Sequence, residues 1–195
     1  MNCDILGLQE VNFTKNEVYQ NNQLNEIDEA NNYHHLTAKL QKIYRCKLDK
    51  EFNIDGNALL CRKSYIDDTF CLNHQVLHLS LLRCFQVITF KKGIFNFYVV
   101  NVHLHSLEED ETVREFQIKE LISYVSTFVN ENDILFIIGD FNTLPDTITY
   151  NYLINSGFKS LYKEKHNKEP NVTFHTQIDA PFKCLGLEGA YDYIL

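Results

Sequence analysis

Positive charge is scarce in this chain: 18 Lys and Arg stand against 26 Asp and Glu, giving a formal charge of -8 and a pI near 5.4. Proteins that hold nucleic acid by a broad basic surface need clustered Lys and Arg to neutralise phosphates. The balance argues against that mode of binding, and a bound divalent cation could supply the missing positive charge locally. Long apolar runs are missing too. None approaches the roughly 20 residues that cross a bilayer, which excludes a transmembrane anchor, and the acidic balance argues against peripheral binding to anionic lipid. The cysteines Cys3, Cys46, Cys61, Cys71, Cys84 and Cys184 form no Cys-x-x-Cys pair, and no secretory signal precedes them. Reduced thiols in a cytosolic or nuclear protein are therefore expected. Core-forming material is plentiful, since 195 residues with 45% hydrophobic and 13% aromatic content fill one globular domain.

The most informative stretch is Ile134-Leu135-Phe136-Ile137-Ile138-Gly139-Asp140-Phe141-Asn142-Thr143-Leu144-Pro145. The apolar run predicts a short strand buried on both faces; Gly139 marks where the backbone turns out of the sheet, and Pro145 opens a new segment. Asp140 and Asn142 stand two apart and so face one site. An Asp orients or deprotonates a water, and an Asn amide holds a phosphoryl oxygen or that same water, so the pair suits hydrolysis at phosphorus. Taken alone, Asp-x-Asn is better read as an Asx turn that caps the next helix.

Earlier in the chain, residues 4–8 read as a buried strand that delivers Gln9 and Glu10 to its C-terminal end, with Gln9 on the opposite face. Glu10, a carboxylate at a strand mouth, suits a hard cation such as Mg²⁺. The polar stretch 13–40 predicts one helix over 17–30 followed by a loop, and Asp55-Gly56-Asn57 signals a turn before a short strand at 58–61. Residues 76–90 and 94–104 are β-rich around a hairpin at Lys91-Lys92-Gly93, which places His103 at a strand end with Asn101 on the same face. His105 is the weaker candidate. Val113, Phe116, Ile118, Leu121, Ile122, Val125, Phe128 and Val129 recur at helical spacing and predict an amphipathic helix over 109–129. Strand, helix and strand then form a crossover that brings His103 and Asp140 to one sheet edge. After Pro145 a capped helix ends at Gly157, residues 171–176 run extended, and 191–195 form a closing strand that carries Asp192.

Gly139-Asp140-Phe141-Asn142 resembles the GDFN motif of the endonuclease/exonuclease/phosphatase (DNase I-like) superfamily of metal-dependent phosphodiesterases. Asp4-Ile5-Leu6-Gly7-Leu8-Gln9-Glu10-Val11, Asn101-Val102-His103-Leu104-His105 and Tyr191-Asp192-Tyr193-Ile194-Leu195 follow the family's order, and the resemblance spans essentially the whole chain. It implies a four-layer α/β sandwich of two packed mixed β-sheets flanked by helices, here without the family's first and last strands. It also implies Mg²⁺ or Mn²⁺ at Glu10, with His103, Asp140, Asn142 and Asp192 catalytic and Asn101 and Asn142 in contact with substrate. His103 would stabilise charge on the phosphoryl oxygens, and Asp192 would orient a catalytic His. Leu144-Pro145-Asp146 with Tyr150-Asn151-Tyr152-Leu153, and Asn171-Val172-Thr173-Phe174, resemble the deadenylase-like branch that includes nocturnin and Angel, which implies an RNA 3′ end as substrate. The family's upstream Asn strand and downstream Ser-Asp-His have no match, so little or no turnover is expected of the 195 residues as written. Other phosphodiester substrates remain alternatives, namely those of lipid or dinucleotide phosphohydrolases, as does a non-catalytic binding module.

Overall fold

The computed structural model describes residues 3–12, 23–28, 30, 32–42, 53–64, 73–80, 83–107, 110–174 and 189–195. Strand β1 (Ile5–Asn12) is followed by a short helix α1 (Gln23–Ile27) and by β2 (Tyr33–Lys42) and β3 (Asn53–Arg62). These strands form an antiparallel sheet of order β1-β3-β2. A second, mixed sheet has the order β4-β5-β6-β7-β8, built from Asn73–Leu79, Arg83–Lys92, Phe95–His103, Ile134–Asp140 and Asp192–Ile194. Only β6 and β7 run parallel in it, joined by helix α2 (Glu111–Val125), as expected of the strand-helix-strand unit. Helices α3 (Ile148–Asn155) and α4 (Leu161–His166) lie between β7 and β8 in the chain.

Side-chain alternation sorts the core into three apolar layers. On β5, Phe85 and Val87 join Val100, Val102, Ile118, Leu121 and Ile137 against α2 and α3, while Ile88 and Phe90 join Leu59, Cys61 and Val99 between the two sheets. Outside the small sheet, Val11, Tyr33, Ala58 and Leu60 pack on Leu24 of α1. The succession of α1, small sheet, large sheet, then α2 with α3 gives the four-layer sandwich.

Several local expectations are corrected. Residues 33–42 form a strand rather than a loop, because β2 pairs with β3 from Tyr33↔Arg62 to Lys42↔Asn53. Asp55-Gly56-Asn57 lies inside β3 rather than in a turn, since Gly56 is laddered on both sides, to Val11 and to Lys39. The β-rich stretch 76–90 divides at Ser80 into antiparallel β4 and β5. Of the helix expected over 17–30, Gln23–Ile27 is helical and residues 17–22 and 29 lie outside the described residues. The sequence-predicted face of α2 also shifts: Phe116 is exposed, and Arg114 and Gln117 are buried in its place. Arg114 donates to the carbonyls of His105 and Leu107, and Gln117 accepts from His105 N–H and donates to Ser80 O, so polar side chains fasten the helix to the loop after β6 and to Ser80 after β4. Helix α3 begins as the sequence suggests, with Thr147 as cap accepting from Tyr150 N–H, and Gly157 follows its end at φ +97°. The extended stretch 171–176 is described as far as Phe174, which bridges to Gly189; Thr176 and His175 lie outside the described residues. Among the described residues no helix is long and apolar enough to cross a membrane.

Candidate active site

At one edge of the large sheet three adjacent strands carry polar residues side by side, where β6 and β7 end and the antiparallel β8 begins. His103 is the register partner of Asp140 across the parallel β6–β7 pair, and Asp140 is the partner of Asp192 across β7–β8. Gly139 makes this possible. It has φ +136°, and a Cβ there would stand 2.0 Å from the Val102 carbonyl oxygen, so no other residue fits at the last turn of the strand. Beyond it, Asn142 takes a left-handed φ of 49°. Its backbone N–H donates to Asp140 Oδ1 at 2.8 Å, and its side-chain Nδ2 donates to Leu104 O at 3.1 Å. The Asx turn weighed from the sequence is thus present, and it fixes the Asp140 carboxylate while Leu104 O fixes the Asn142 amide.

The loop that carries Asn142 is tied down from several sides. Glu111, in the first turn of α2, accepts from Thr143 Oγ1 at 2.7 Å and from Thr149 N–H at 3.0 Å, and it also accepts from Arg114. Burial raises the Glu111 carboxyl, yet these hydrogen bonds outweigh burial and hold it at about 2. Tyr193 donates to the carbonyl of Thr143 from the other side.

Glu10 reaches the same corner from the small sheet. The β1–β3 register shifts between Leu8 and Val11, and Glu10 sits in this bulge at φ 55° with its side chain exposed. Gln9 points inward, donating through Nε2 to Asn101 Oδ1 at 2.7 Å. Asn101 is fully buried, and its Nδ2 contacts Leu8 O, Ala58 O and Gln86 Oε1. It therefore lies between the sheets and not at the mouth, where it fixes the depth at which β1 presents Glu10. Gly7 leaves room for this contact, because a Cβ there would meet Asn101 Oδ1 at 2.8 Å.

Electrostatics bind the corner into one unit. Burial lifts the Asp140 carboxyl to about 7, the charges of Asp192 and Glu10 push it the same way, and the Asn142 amide and the Arg83 guanidinium pull against them. His103 is buried, with Nε2 at 3.8 Å from Asp140 Oδ2. His105 is drawn away to Asp110, at 2.9 Å. Arg83, at the start of β5, is a residue of this corner that sequence reasoning missed; it is the one charged residue ahead of the buried run from Cys84 to Ile88. A groove of about 940 Å³ opens beside this corner, with Gln9, Thr173 and Asp192 toward it and Phe97, Phe136 and Ile138 along its apolar length.

Among the described residues, no three His, Cys, Asp or Glu groups converge into a ready-made metal cage. The donor chemistry nevertheless fits a magnesium-type ion, which is held by one or two carboxylates with water and substrate completing its shell. Carboxylates that raise one another's affinity for a proton, as Glu10 and Asp192 do to Asp140, do the same for a cation.

Two face-packed sheets flanked by helices, with acidic side chains at the mouth of neighbouring strands, define an α/β sandwich of the DNase I-like kind. The profile of the Endonuclease/Exonuclease/phosphatase family matches residues 1–195, and the chain belongs to that family. Among solved structures, truncated Caenorhabditis elegans TDP2 is similar at 20% identity and a TM-score of 0.68, over 99% of this chain and 70% of that one. The human nocturnin catalytic domain with bound sulfate gives 22% and 0.69, over 98% and 68%. ANGEL2, a 2′,3′-cyclic phosphatase, gives 22% and 0.58, over 80% and 44%. No curated protein sequence matches the chain, and at these identities the likeness to solved structures is one of fold.

Proposed function

We propose that this corner is the site of a metal-dependent phosphodiesterase that acts on RNA 3′ ends. The observation that carries the reading is the in-register line of His103, Asp140 and Asp192 facing Glu10, with the Asp140 carboxyl at about 7. Glu10, with Asp140 and Asp192 around it, would hold Mg²⁺ or Mn²⁺. When bound, such an ion polarises the phosphoryl group and offsets its negative charge. Asp140 orients the attacking water and takes its proton. The Asn142 amide, its plane fixed by Leu104 O, donates to a phosphoryl oxygen, and His103 donates to the charge that develops there. The choice of RNA draws on the resemblance of Leu144-Pro145-Asp146, Tyr150-Asn151-Tyr152-Leu153 and Asn171-Val172-Thr173-Phe174 to the deadenylase-like branch; ANGEL2 has been solved with adenosine-2′,3′-vanadate.

The test is fluorescence anisotropy with a 3′-polyadenylated RNA oligonucleotide, with and without Mn²⁺. Binding is expected to require Mn²⁺, to fall at least about tenfold in Asp140→Ala, and to weaken when the 3′ end is blocked by phosphate. Equal binding of a DNA oligonucleotide of the same sequence would move the reading to single-stranded DNA ends, the product held by Danio rerio TDP2. Mn²⁺-independent binding would overturn the reading altogether.

A further inference from the structure

Arg83 is buried at the start of β5, and its Nη1 lies 3.1 Å from Nδ1 and 3.3 Å from Nε2 of His103. The two nitrogens of an imidazole flank Cε1, so an atom almost equally close to both cannot lie in the ring plane without colliding with that carbon. The guanidinium nitrogen must therefore lie over the ring face. Both contacts have hydrogen-bond geometry, so a guanidinium N–H is directed at the ring from above its face. A contact over the face does not compete for the in-plane directions along which ring nitrogens donate and accept. The same ring presents Nε2 toward Asp140 Oδ2, at 3.8 Å. Burying a guanidinium is costly unless it meets opposite charge, and the Arg83 charge acts on the Asp140 carboxylate.

We infer that Arg83 is a positioning residue of the site: with Nη1 donating over the face of the His103 imidazole, it holds the ring beside Asp140. His103 is thereby fixed before substrate arrives, and the guanidinium donor is required at position 83. The chemical purpose of this arrangement rests on the phosphodiesterase reading above, while the contact itself does not.

The experiment follows the histidine ring carbon-proton signals of the labelled chain by NMR at pH 8 in EDTA, in wild type, Arg83→Met and Arg83→Lys. Both substitutions are expected to shift and broaden the His103 signals, with those of His105, tied to Asp110, staying in place as the control for an intact fold. Lys keeps the charge and lacks the Nη1 donor over the ring, so it also separates that contact from a general electrostatic effect. Unchanged His103 signals in Arg83→Met, or a wild-type spectrum in Arg83→Lys, overturn the inference. In the Mn²⁺-dependent RNA binding assay, Arg83→Met and His103→Ala are each expected to weaken binding about tenfold, and together by no more than either alone. Additive losses also overturn it. A chain that shows the NMR change but binds no RNA would retire the RNA reading and leave the positioning role standing.

Discussion

Asp140 and Glu111 are carboxylates that the fold perturbs in opposite directions, so their substitutions have opposite effects on stability. Asp140 rises from an ordinary value of 3.8 to about 7. A group raised in the folded state contributes stability below its unfolded value and loses it as pH climbs through the folded one. The ionised Asp140 therefore costs on the order of 2 kcal/mol at pH 8 in the absence of a cation, after allowance for its partial exposure. Asp140→Asn, which keeps the acceptor for Asn142 N–H, is expected to raise Tm by several degrees at pH 8 in EDTA and to leave it nearly unchanged at pH 4. A lower Tm at pH 8 would contradict this account of the carboxyl. Glu111 runs the other way, held down from 4.5 to about 2. Its contribution is fully present above pH 4.5 and is lost as pH falls toward 2. Glu111→Gln should destabilise the chain by about 1–2 kcal/mol at pH 7 in urea unfolding, with the difference shrinking as pH approaches 2. A constant difference across that range would show that the charge is not what matters.

At the scale of elements, Asn101 joins strands of both sheets through one buried amide. Removing it leaves Leu8 O, Ala58 O, Gln9 and Gln86 without that partner, and each unsatisfied buried group costs about 1–3 kcal/mol. Asn101→Leu is expected to lose about 3 kcal/mol or more and also to weaken Mn²⁺ binding, because β1 no longer holds Glu10 at a fixed depth. Loss of stability with unchanged Mn²⁺ affinity would separate the sheet contact from the site. The same strands show what the sequence could reveal. Strand β7 was legible because its apolar run is unbroken and Gly139 marks its end. Strand β2 was not, because it lies at the edge of the small sheet and carries His34 and His35 where a regular alternation would need an apolar residue. The turn chemistry of Asp55-Gly56-Asn57 is overridden by ladders on both sides of Gly56. The burial of Arg114 and Gln117 was not legible from the apolar spacing of α2, because their hydrogen-bonding partners lie in the loop after β6 and at Ser80 after β4, where helical periodicity carries no signal.

On the scale of the whole molecule, the site exists only where the two sheets close on each other. His103, Asp140 and Asp192 lie side by side through strand pairing alone, and the crossover rule with the family motifs made that line readable in advance. Glu10 joins them across the sandwich, from a sheet with no ladder to theirs among the described strands. Only the motif resemblance could place it there. Arg83 belongs to no quoted motif, and it became visible once β5 was seen to start beside the end of β6. The central claim is that these groups, far apart in sequence, act together as one divalent-cation site. The most direct measurement is a Mn²⁺ titration followed by electron paramagnetic resonance, with wild type and Glu10→Ala compared at pH 8. Saturable binding by the wild type that weakens at least about tenfold in Glu10→Ala is the predicted result; equal binding by the two proteins would remove Glu10 from the site and contradict the claim.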